Sequence, residues 1–258
     1  MPASPDFLAF LDELAAVARS APDVRGLVAF GSTADRSRAD TGSDHDFAWI
    51  TTDHAAAERY RHDLAWLPRA ERILVSTVEH HGGVKVIYDD GHRLEFGIAD
   101  AAAFATWAGA PAEVIVGDAE VHAAAAAVVA STPEGAPDPH RELRLMLTQL
   151  LSGIGRANRG ELLSASRLVR YEAVDHLLRA IAAVQPHPRL DPLDPRRRFE
   201  QAHPSVGAAV DQAATLPIGP AVLSLLDIAG ATLGGHPAYP TAAVALVRAA
   251  ARSHPARD

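Results

Sequence analysis

Cysteine is absent from all 258 residues. Disulfides, thiolate metal sites, iron–sulfur clusters and cysteine nucleophiles are therefore excluded. Lysine is almost absent too. Lys85 stands alone, and no Gly-x-x-x-x-Gly-Lys occurs, which removes a P-loop nucleotide site. Positive charge is the scarcer sign: 24 Lys and Arg against 32 Asp and Glu give a net charge of −8 and a pI near 5.9. Duplex-binding domains carry the opposite balance, so no nucleic-acid partner is expected. A cationic small molecule or a metal–nucleotide complex suits an acidic protein better. No apolar run approaches the ~20 residues needed to span a bilayer; the Ala-rich stretch Ala123–Ala130 is far too short. No basic residue precedes Arg19, so no targeting signal is read, and the chain is expected to be cytoplasmic, as a monomer or homodimer.

What remains is an ordinary globular composition, 48% hydrophobic and 22% charged, long enough for one large domain or two modest ones. Residues 5–19 carry Phe7, Leu8, Leu11, Leu14, Ala15 and Val17 at helical spacing. Val24–Phe30 reads as a buried strand that ends at Gly31-Ser32, and the polar stretch Thr33–Ser43 as a loop or short helix. A second strand is expected at His45–Thr51, a helix at Asp53–Leu67 and a third strand at Arg72–Val78. Val84–Ala99 alternates around Asp90-Gly91, the pattern of a hairpin with a two-residue type I′ turn. In that register Ile87 faces Leu94, Val86 faces Glu95 and Lys85 faces Phe96. Pro133–Pro139 then forms a turn-rich linker. Almost everything beyond it has helical period, including shorter helices at 205–215, 219–233 and 240–252. The plan is α+β: a small mixed sheet with flanking helices over residues 1–132, then an all-α helical bundle over 140–258.

The chemistry concentrates in the first part. Residues two apart on a strand share a face, so Asp44 and Asp46 project together while His45, Phe47 and Trp49 point away. Paired carboxylates repel unless a cation lies between them, and hard oxygen ligands suit Mg²⁺, which is completed by water and substrate phosphates. Leu94, Phe96 and Ile98 take the core face of the hairpin, which leaves Glu95 on the other. If its strand is an antiparallel neighbour of the Asp44–Asp46 strand, three carboxylates meet. Three such groups can hold two Mg²⁺ ions about 4 Å apart for in-line phosphoryl or nucleotidyl transfer. Gly31 allows a phosphate close to the backbone, and Ser32 can hold it.

Gly-Ser, a spacer, Asp-x-Asp on a strand and a later strand carboxylate together resemble the DNA polymerase beta-like nucleotidyltransferase superfamily. The helical second half resembles its antibiotic-modifying branch, the kanamycin, streptomycin and lincosamide nucleotidyltransferases. The motif-bearing part covers residues 24–99. The resemblance implies that Gly31 and Ser32 contact the triphosphate of ATP or another nucleoside triphosphate. It implies that Asp44 and Asp46 bind Mg²⁺, and that Glu95 is a third ligand which also draws the proton from the acceptor hydroxyl. The third position in the family is often Asp, and Glu reaches farther. The expected reaction moves a nucleoside monophosphate to a hydroxyl of a small, cationic, aminoglycoside-like acceptor held between the two domains. Attachment of AMP to a partner protein, as antitoxin relatives perform it, is a second possibility. A non-catalytic nucleotide binder is a third.

Further candidates lie outside the motif. Arg36 and Arg38 are placed to neutralise triphosphate charge. Glu161, at an expected helix start, is a candidate base by analogy of placement with the kanamycin enzymes. An acidic residue is also what a helix N-terminus favours on electrostatic grounds alone.

Overall fold

The computed structural model describes residues 5–40, 42–109, 111–131, 137–191 and 193–254. It divides into two compact units, Met1–Pro133 and Glu134–Asp258. The first opens with helix α1 (Pro5–Ser20), strand β1 (Val24–Phe30), the single helical turn α2 (Gly31–Ala34) and a 3₁₀ turn over Arg36–Arg38. There follow β2 (His45–Thr51), α3 (His54–His62), β3 (Ile73–Val78), β4 (Val84–Tyr88), β5 (Arg93–Asp100), α4 (Ala101–Phe104), β6 (Ala112–Val116) and α5 (Ala119–Ser131).

The strands form one six-stranded mixed sheet in the order β3-β4-β5-β2-β1-β6. Alternation along β2 sorts its side chains onto two cores. Phe47 and Trp49 join Phe10, Leu11 and Leu14 of α1 on one face, and Ala48 and Ile50 join Phe104 of α4 and Val128 of α5 on the other. Phe47 and Phe96 stack across neighbouring strands with ring centroids 4.6 Å apart. Burying such a side chain stabilises the unit by about 1.5–3 kcal/mol before entropy is counted.

Two expectations about the sheet are corrected. β2 and β5 pair in parallel, with Asp46 opposite Glu95, not antiparallel. The hairpin turn has three residues, not two. Tyr88 N–H donates to the His92 carbonyl at 2.9 Å, Gly91 N–H donates to the Tyr88 carbonyl at 3.0 Å, and Gly91 takes φ 84°. That is the type I turn completed by a left-handed glycine. The extra residue moves the register by one, so that Lys85 lies opposite Glu95, Val86 opposite Leu94 and Ile87 opposite Arg93. The reason is core matching: this register sets Val84 against Phe96 and Val86 against Leu94 on the buried face.

Smaller differences concern element ends. α3 stops at His62 rather than Leu67, because Asp63 turns extended and Pro68 disfavours helix in the residue before it. β6, a half-buried edge strand, has no counterpart in the sequence reading.

The second unit comprises α6 (Pro139–Asn158), α7 (Leu162–Arg167), a π turn (Leu168–Glu172), α8 (Ala173–Val184), α9 (Phe199–Ala202), α10 (Pro204–Thr215), α11 (Ile218–Leu233) and α12 (Thr241–Arg252). Asp138 caps α6 by accepting from the His140 amide at 3.0 Å, and Pro139 occupies the first turn. Leu143, Met146 and Leu150 of α6 pack with Leu177 and Ile181 of α8 and Leu226 of α11. Of the expected linker Pro133–Pro139, residues 133–136 lie outside the described residues. Among the described residues no helix is long and apolar enough to cross a membrane.

Candidate active site

The site grows out of the end of β1. There the chain enters α2 through Gly31 at φ 53°, a left-handed conformation that favours glycine over any residue with a Cβ. Ser32 and Thr33 follow, both buried. The Thr33 hydroxyl accepts a hydrogen bond from the Asp46 amide at 2.9 Å and donates to the Asp44 carbonyl at 3.5 Å. One buried side chain thus fastens the loop after Gly31-Ser32 to the backbone on both sides of His45.

β2 begins at His45, so Asp44 directly precedes the strand rather than lying within it. His45 is buried on the opposite face, stacked on Phe7 with centroids 3.8 Å apart. Its Nε2 is 3.0 Å from the Phe7 carbonyl, which can only accept. The ring proton therefore sits on Nε2, and Nδ1 accepts from Nε2 of His92 at 2.7 Å. Burial pushes the His45 pKa down to about 3, with His92 adding to the effect. A neutral, doubly bonded imidazole anchors the start of the strand from beneath.

On the other face Asp44, Asp46 and Glu95 come together, each offering a carboxylate oxygen within 4.8 Å of the others. Asp44 and Asp46 are half-buried and Glu95 is exposed. Parallel pairing explains the convergence. Asp46 and Glu95 are register partners, so adjacent strands, which lie about 4.8 Å apart, set the spacing of their side chains. Lys85, directly across the hairpin, places its Nζ 3.4 Å from Glu95 and 3.2 Å from Glu79. Those two carboxylates, Glu79 first, raise its pKa. The Arg93 guanidinium donates to the Gly42 carbonyl and ties β5 to the loop that leads into Asp44.

The donor set is three hard anionic oxygens in one small volume, with neither cysteine nor histidine among them. It matches Mg²⁺ or Mn²⁺, not zinc or copper. Close carboxylates raise one another's proton affinity unless a cation offsets the repulsion, and a divalent ion is the strongest such offset.

The remaining sequence candidates are engaged as follows. Arg36 pairs with Glu113 of β6 at 3.0 Å, and Arg38 lies 3.9 Å from Asp35. Glu161 belongs to the second unit, where Arg156 and Arg159 donate to it at 2.6 and 2.8 Å. These bonds, Arg159 first, pull its pKa down to about 2. A carboxylate that binds its proton so weakly is a poor general base, which argues against the expected catalytic role of Glu161. In the same unit the buried Glu142 accepts from His176 Nδ1 at 2.7 Å.

Thr33, His45 and His92 were not singled out from sequence. A β-branched hydroxyl residue directly after Gly-Ser was the one available signal for Thr33. The two histidines are 47 positions apart and meet only through the fold.

No protein-family model and no curated protein match the sequence. Among solved structures, the chain is similar to an aminoglycoside 6-adenyltransferase from Bacillus subtilis. The identity is 11% and the TM-score 0.34, over 95% of this chain and 98% of that one. It is also similar to a nucleotidyltransferase-like protein from Exiguobacterium sibiricum, at 15% identity and TM-score 0.36 over 90% of this chain and 76% of that one. TM-scores below 0.5 at such identities are too low to assign an activity, so the chemistry rests on the site itself.

Proposed function

We propose that the protein is a divalent-metal-dependent nucleotidyltransferase that moves a nucleoside monophosphate, AMP from ATP, to a hydroxyl group. The supporting observation is the convergence of Asp44, Asp46 and Glu95 beside the Gly31-Ser32 turn. In this reading the three carboxylates hold the metal of a metal–nucleotide complex, up to two Mg²⁺ ions. Bound Mg²⁺ supplies charge neutralisation on the phosphates. Gly31 lets the triphosphate approach the backbone and Ser32 binds its outer oxygens, with Arg36 and Arg38 contributing positive charge nearby. Glu95, the most exposed carboxylate, takes the proton of the acceptor hydroxyl. The acceptor oxygen then bonds to the α-phosphorus, the bond from that phosphorus to the bridging oxygen breaks, and pyrophosphate leaves with the electron pair. Positioning and charge account for most of the rate.

The acidity of the cluster and the net charge of −8 favour a cationic small-molecule acceptor such as an aminoglycoside-like polyol. One observation favours a protein acceptor instead. On the face that carries Glu95, β3 and β4 present Val75 and Ile87 as an exposed cross-strand pair beside Lys85. Exposed apolar surface next to a reactive site is suited to a macromolecular partner.

The test is pyrophosphate release with each nucleoside triphosphate, Mg²⁺ and a panel of cationic polyols. α-labelled ATP is followed in parallel onto proteins. Asp46→Asn is expected to lower the signal by a factor on the order of 10² or more. Wild-type release in the Asn variant, or none with any acceptor, overturns the reading.

A further inference from the structure

The lysine content of the chain and the geometry of Glu95 meet at one residue. Of the 24 Lys and Arg side chains, Lys85 is the sole lysine, and it stands in register with the third carboxylate of the cluster. Elsewhere among the described residues the ion pairs use arginine or histidine. The two cations differ in what they do to a carboxylate. Arginine presents a rigid fork that grips both oxygens at once, whereas an ammonium is a compact point charge on a flexible stem. An arginine at this position would lock Glu95. A lysine holds it loosely.

The surroundings give that lysine somewhere else to go. Its Nζ lies between two carboxylates, 3.4 Å from Glu95 and 3.2 Å from Glu79, and its side chain is 44% exposed. Swinging toward Glu79 frees Glu95 without leaving the ammonium unpaired. We propose that Lys85 is a positioning residue of the carboxylate cluster, a displaceable counter-ion that occupies Glu95 until a divalent cation takes its place. The proposal rests on the reading of the cluster as a metal centre. Its consequence is that a free divalent ion binds more weakly than three carboxylates alone would allow.

Coulomb repulsion between a divalent ion and a unit charge several ångströms away, largely screened by water, weakens binding by roughly tenfold. The experiment is Mn²⁺ titration of the full chain without nucleotide, followed by electron paramagnetic resonance, on wild type, Lys85→Met and Lys85→Arg. Lys85→Met should bind Mn²⁺ about five- to tenfold more tightly than wild type, and Lys85→Arg about threefold or more weakly. A lysine acting by charge alone would make the Arg variant equal to wild type. An ornamental surface lysine would make all three equal. Either result overturns the proposal, as does weaker binding in Lys85→Met. Lys85→Gln replaces the Met variant should that one fail to fold. Asp46→Asn separates the two levels of inference. If it abolishes Mn²⁺ binding while the Lys85 series is flat, the counter-ion role alone is wrong. If it binds as wild type does, the metal centre falls as well.

Discussion

Thr33 and Asp46 are joined by a 2.9 Å hydrogen bond from the strand amide to a fully buried hydroxyl. The bond makes the loop that follows Gly31-Ser32 and the carboxylate-bearing strand one mechanical piece. Thr33→Val keeps the shape and removes the acceptor, leaving a buried N–H unpaired at a cost of about 1–3 kcal/mol. Urea denaturation should show that loss, and Thr33→Ser should recover most of it. Transfer activity should fall in the Val variant by more than the fraction unfolded explains, because the carboxylates lose their registration with the turn.

Metal binding should be visible in stability. A ligand at a hundred times its dissociation constant stabilises the fold by about 2.7 kcal/mol, so added Mg²⁺ should raise the wild-type melting temperature and chelation should reverse the rise. Asp46→Asn should lose the response. Without metal that variant should be at least as stable as wild type, since one of the mutually repelling charges is gone.

Acid should destabilise the first unit through His45. Its pKa is about 3 in the fold against roughly 6.5 in an unfolded chain, because the ring is buried against Phe7, Phe10 and His92. Asp6 on α1 pulls the other way but does not offset burial, and His92 is shifted down as well by its own burial, against the pull of Asp90. Below pH 6.5 the unfolded state takes up a proton that the folded state refuses. Stability should therefore be level above that pH and decline as pH falls toward 3, by up to about 1.4 kcal/mol per pH unit for one proton. Denaturation midpoints between pH 7.5 and 4.5 check this, and His45→Gln should flatten the slope.

Glu161 gives a prediction of the same sign in a lower pH window. Its carboxyl is held low, at about 2, by Arg159 and Arg156, so that its contribution is present above the ordinary carboxylate range and lost as pH falls through 2. Carbon-detected NMR titration should place it there. Glu161→Gln should leave transfer rates within about twofold of wild type, since a base with so low a pKa contributes little. A drop on the order of 10² would place it in the catalytic set.

Most of the sheet unit was legible because its signals are local. β1 and β2 were read to the residue, and the separation of Asp44 and Asp46 from the core followed from alternation alone. The convergence on Glu95 was also foreseen, but through a wrong neighbour relation. Parallel pairing of β2 with β5 is a long-range choice, and strand direction leaves no trace in a seven-residue pattern. At the turn Asp89–Gly91, Asp-Gly fits both the two-residue and the three-residue loop, so the local pattern leaves the register open by one residue. Only the match of Val84 to Phe96 decides between them. Thr33 escaped notice because its role lies in a bond to a backbone amide 13 positions away.

The length of that small turn has a reach beyond its own geometry. Deleting one of Asp89, Asp90 or Gly91 would slip β4 against β5 by one residue and set Val86 opposite Glu95, where Lys85 now stands. The charge felt by an incoming cation is thus written partly in a loop that touches none of the ligands. Variation in its length is a means of retuning the cluster while every carboxylate stays in place.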